Sequence, residues 1–116
     1  MSETTERKYP QPDLELLKEM AEGDDAFIKE IISLFLENGP VVVATIKESA
    51  TSGDCDALKF AAHKILSDLA IVGIKSAIPD VEIIEKQAAL KNIPHSNVER
   101  AIDIINAGIE DLKKLV

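Results

Sequence analysis

A chain of 116 residues has room for one domain and one hydrophobic core. Its net charge of −8 repels phosphate backbones and anionic lipid heads, which argues against nucleic acid and membrane surfaces as partners. The apolar 46% is almost all Leu, Ile, Val and Ala, with only Tyr9, Phe27, Phe35 and Phe60 aromatic, so the stacking platforms that bind single strands are missing and an aliphatic helical bundle is expected.

Residues 1–12 carry two prolines and no hydrophobic period, and read as a flexible leader to a single domain at 13–116. The start "MSETTERKYPQPD" lacks the apolar core of a signal peptide, and Cys55, the only cysteine, has no disulfide partner within the chain. No wholly apolar run, "VVVA" at 41–44 included, approaches the roughly 20 residues of a membrane span. A cytoplasmic monomer is expected.

Asp13 is placed to cap a short first helix, "LELLKEMA", that ends before Gly23. Asp24 or Asp25 caps the next, where the spacing of Phe27, Ile31, Leu34 and Phe35 predicts one apolar face. "ENGP" at 37–40 either stops that helix or kinks it, and "VVVATIKESA" continues helically. "SGD" at 52–54 makes a turn, with Asp54 as N-cap of a helix that Gly73 stops. Pro79 is tolerable only in a first turn, which starts the following helix near Ser76 and runs it to Asn92. Ser96 and Glu99 have the spacing of a capping box for a last helix reaching about Leu115. The expected fold is all-α, an up-and-down antiparallel four-helix bundle with a short extra N-terminal helix.

On the helix after Asp54, Leu58, Ala61, Ala62, Ile65, Leu69 and Val72 form one stripe, and His63 falls about 140° from its centre. His63 therefore points outward, with Lys59 one turn behind, Ser67 one turn ahead, Ala70 beyond, and Phe60 and Leu66 to either side. An exposed imidazole, whose free pKa is about 6.5, is a competent nucleophile near neutral pH. A cation one turn away suits a phosphoryl oxygen, and a small residue on the other side lets another protein approach. The bland reading of the same position is a solvated surface histidine. His95 reads as a loop or pre-cap residue. No pair of His or Cys has metal-ligand spacing, and the five glycines stand singly, so neither a metal nor a cofactor is expected.

"GDDAFIKEIISLFLENGP", and "GDCDALKFAAHKI" followed by "VGI", resemble the second helix and the histidine-bearing helix of the histidine phosphotransfer (HPt) domains of bacterial two-component phosphorelays, a likeness that runs from about Asp13 to Ala89. The resemblance implies that His63 is phosphorylated and carries the group as a stoichiometric carrier, not a turnover enzyme. It implies a response-regulator receiver domain or a hybrid sensor histidine kinase as partner, with the receiver supplying magnesium. Leu66, Ser67 and Asp68 stand where the family usually has lysine, glycine and serine. Lys59 and Lys64 are the candidate phosphate-screening residues in place of that lysine, and Phe60, Leu66, Ser67 and Ala70 the candidate docking surface. The alternative is a non-catalytic helical interaction module, a degenerate HPt domain or an adaptor, that binds a receiver without transfer.

Overall fold

The computed structural model describes residues 8–116, so the first seven residues of the expected leader lie outside the described part. Within the rest of that leader, Tyr9 is half-buried against the core. The described chain is all-helical: α1 (Glu15–Ala21), α2 (Asp25–Ser52), α3 (Cys55–Val72), a 3₁₀ turn (Lys75–Ala77), α4 (Ile78–Ala89) and α5 (His95–Lys113).

The punctuation explains most of these boundaries. Asp24 and Asp54 cap α2 and α3, each carboxylate accepting a hydrogen bond of 3.1 Å from the backbone N–H three residues on. Gly73 ends α3 at φ 78°, a left-handed conformation that costs glycine least. Asp13 stands just before Leu14, the N-cap of α1, and its carboxylate accepts from the Glu15 N–H and from Lys75 Nζ, both at 3.0 Å. The N–H of Asp13 donates to the Gly73 carbonyl at 3.0 Å, which fastens the segment before α1 over the end of α3.

Four expectations change. Of the two readings of "ENGP", the stop does not occur: α2 runs on through Gly39 and the exposed Pro40 to Ser52. Gly39 is buried, and a Cβ there would come 3.1 Å from the Phe35 ring, so the missing side chain is what lets that ring lie on the backbone. The face assigned to α2 is misphased. Its buried stripe is Ile32, Phe35, Gly39, Val42, Val43 and Ile46, which leaves Leu34 47% exposed, with Phe27 and Ile31 half-buried on the flank. The capping box of Ser96 and Glu99 does not form, because α5 begins at His95 with Pro94 as N-cap, and both residues lie inside the helix. Finally α4 stops at Ala89, short of Asn92, since Lys91 turns the chain at φ 66° and Asn92 N–H folds back to the Gln87 carbonyl.

α2 packs on α3 and α5, and α4 packs on the same two helices, so the four long helices close a cycle around one aliphatic core. Ile46, Leu58, Ile65, Leu69, Ile84 and Ile105 are fully buried there, each contributing about 1.5–3 kcal/mol of transfer free energy. α1 lies over α2 and α3 and inserts the fully buried Leu17.

Candidate functional site

The six residues of the α3 stripe, Leu58, Ala61, Ala62, Ile65, Leu69 and Val72, are all buried. Their burial fixes the rotation of the helix and turns His63 outward, with its side chain 74% exposed. Nδ1 of His63 lies 2.7 Å from Oε2 of Glu85 on α4. An ionised carboxylate only accepts, so Nδ1 donates in this bond, and in the neutral ring the lone pair is then on Nε2. Glu85 also fixes the plane of the ring, which a free surface rotor would lack.

A second tie aligns the two helices. Lys91 Nζ donates to Asp56 Oδ1 at 2.9 Å, from just past the end of α4 to the first turn of α3. The ammonium holds the Asp56 carboxyl below the usual range, and the carboxylate raises Lys91 in turn.

Between α3 and α4 runs an open groove of about 610 Å³ lined by Lys59, Leu66, Glu82, Glu85, Lys86 and Ala89. Of the two candidate screening lysines, Lys59 lines this groove and Lys64, one residue past His63 and about 100° further round α3, does not. Phe60 is 70% exposed, Ser67 is exposed, and Leu66 and Ala70 are half-buried, so the expected docking residues surround the histidine on an accessible face. Asp68 is on the other flank of α3, in a shallow depression with Ile31, Leu34, Asn38 and Ile71.

Sequence reasoning missed Glu85 and Lys86. Glu85 is 22 residues from His63, and nothing in the spacing of either helix signals that their registers bring the two together. His95 is the exposed first residue of α5, beside Lys47, Thr51 and Glu99, and is not part of the His63 groove. Cys55 is a half-buried free thiol. Among the described residues no group of three or more His, Cys, Asp or Glu is arranged to hold a metal, and no helix is long and apolar enough to cross a membrane. Compared with family models, curated proteins and solved structures, the chain matches none.

Proposed function

We propose that this protein is a histidine phosphotransfer domain that carries a phosphoryl group on Nε2 of His63. The observation that carries the reading is the exposed imidazole whose Nδ1 is held by Glu85 at 2.7 Å. The Nε2 lone pair attacks phosphorus in the aspartyl phosphate of a receiver, the N–P bond forms, and the P–O bond breaks with its electron pair leaving on the aspartate. No proton need move. The imidazole ring becomes cationic, and the Glu85 carboxylate offsets that charge where it develops. Return of the group to a second receiver runs the same step backwards. The carrier has only to expose, orient and neutralise, which fits a site without a larger catalytic constellation.

The reading includes the architecture. Partners across α3 and α4 step in opposite directions, His63 meeting Glu85 while Asp56 meets Lys91, and the short turn between Ser52 and Cys55 returns α3 alongside α2. Such register supports an up-and-down antiparallel four-helix bundle, with α1 as the extra helix.

Incubation with a phosphorylated receiver should give an acid-labile, base-stable phosphoprotein, and His63→Gln should abolish it while leaving the helical circular dichroism unchanged. Equal labelling of the variant, or labelling at His95, overturns the assignment. The second reading, receiver binding without transfer, is favoured by Leu66, which puts an alkyl chain in the groove where the family has a cation. It predicts a receiver complex with no phosphate on His63, and Leu66→Lys would then create transfer, not merely hasten it.

A further inference from the structure

The groove between α3 and α4 takes a lysine from each helix into its lining, Lys59 on α3 and Lys86 on α4, together with Leu66 and with Glu85, the partner of His63. Neither is in a salt bridge among the described residues, a state they share with other lysines such as Lys47 and Lys64, but of these only Lys59 and Lys86 line this groove. Glu82, four residues before Lys86, has the spacing to pair with it and does not. The carboxylate nearest the histidine, Glu85, is already engaged by Nδ1. Two ammonium groups outside any salt bridge therefore line the groove that also holds Glu85, the partner of His63 Nδ1.

Building on the phosphotransfer reading, we infer that Lys86, reaching from the neighbouring helix, is the phosphoryl-binding cation that makes good the absence of a lysine at position 66, acting with Lys59 across the groove. A phosphoryl group on Nε2 carries two negative charges and three acceptor oxygens, and lysine meets such a group as a point charge on a flexible stem of about four carbons. Lys59 lies one helical turn from His63 on α3, and Lys86 follows Glu85, the residue that meets His63, by one position on α4, so both stems start near the level of the histidine. The arrangement moves the screening charge from the histidine's own helix to its neighbour. Leu66 is then free to be an apolar docking contact.

The test uses the full chain and potassium phosphoramidate, a donor that needs no receiver: the Nε2–P bond forms as the donor P–N bond breaks and ammonia leaves with the electron pair. Labelling is followed by ³¹P NMR. Lys86→Ala should slow labelling about threefold at low salt, as expected for an exposed charge pair, and Lys86→Arg should restore it. The difference should vanish near 1 M NaCl, where the screening length is about 3 Å. Lys59→Ala combined with Lys86→Ala should lose about tenfold, and Lys47→Ala, on the opposite side of the domain, should change nothing. A Lys86→Ala protein that labels at the wild-type rate, or a loss that appears with Lys64→Ala in its place, overturns the inference while leaving His63 as carrier. Labelling of His63→Gln would overturn the phosphotransfer reading itself, so the two failures are distinct.

Discussion

Arg100 on α5 grips Asp80 in the first turn of α4 with two hydrogen bonds, Nε to Oδ2 at 3.0 Å and Nη2 to Oδ1 at 2.8 Å. Asp80 is 4% exposed, and Asn97 Nδ2 supplies a third bond at 2.9 Å. This is the most buried carboxylate of the described chain, and it locks the first turn of α4 to α5.

The Arg100 hydrogen bond, more than the Asn97 bond, holds the Asp80 carboxyl below its ordinary 3.8, although burial works against it. A carboxylate whose pKa is lower folded than unfolded stabilises fully above the unfolded value, and that stability fades as pH falls through the folded one. Asp80→Ala should therefore cost about 2 kcal/mol in urea unfolding at pH 7, and the gap to wild type should shrink below pH 3.8. An equal gap at both pH values would mean that packing, not charge, sets the cost.

Glu85→Gln keeps a hydrogen-bond acceptor for Nδ1 and removes the negative charge. Transfer to His63 should fall roughly five- to tenfold, the difference between a charged and a neutral acceptor of about 1 kcal/mol. Glu85→Ala also frees the ring and should lose more. Stopped-flow transfer from a phosphorylated receiver checks both, and equal rates for Gln and Glu would reduce Glu85 to a steric guide.

Ser67 is exposed one turn beyond His63 on the surface a receiver must approach. Ser67→Trp should block transfer and leave the urea midpoint within about 0.5 kcal/mol of wild type. Lys113→Trp, at the end of α5, should transfer normally. Normal exchange by the Ser67 variant would send the receiver to another side of the histidine.

Gly73→Ala meets two obstacles, the left-handed φ of 78° and the Asp13 backbone, against which a Cβ would collide. The cost should be about 2–4 kcal/mol, above the 1 kcal/mol or so of an unobstructed left-handed site. Hydrogen exchange of the Asp13 amide, which donates to the Gly73 carbonyl, should speed up in the same variant. If it stays protected, the segment has followed the turn to a new position.

What the sequence revealed and what it hid divide along the range of the interaction. The cap at Asp54, the stop at Gly73 and the α3 stripe are set within a few residues and were legible, and the cap of α2 was narrowed to Asp24 or Asp25, of which Asp24 is the one used. So was the outward direction of His63, because a six-residue stripe leaves little freedom of phase. α2 shows the opposite case. Apolar residues surround much of it, so the period alone could not say that Ile32 faces inward and Leu34 outward. The capping box failed because Pro94, with φ already near the helical value, starts α5 before Ser96 can cap it. Glu85 and Lys86 come to the groove through the register of α4 against α3, which no local pattern encodes.

Pro40 has no N–H to give, so the carbonyl of Leu36 is without its ladder bond in the middle of α2. The two sides of Pro40 also border different depressions, Ile31, Leu34 and Phe35 one shared with the end of α3, and Lys47, Ala50 and Thr51 one shared with the start of α5. A rod of 28 residues is in this way jointed energetically while it stays continuous in shape. Fluctuations at one end of α2 have a missing rung at Pro40 to cross before they reach the other, and native-state hydrogen exchange should show the amides on its two sides opening as separate units.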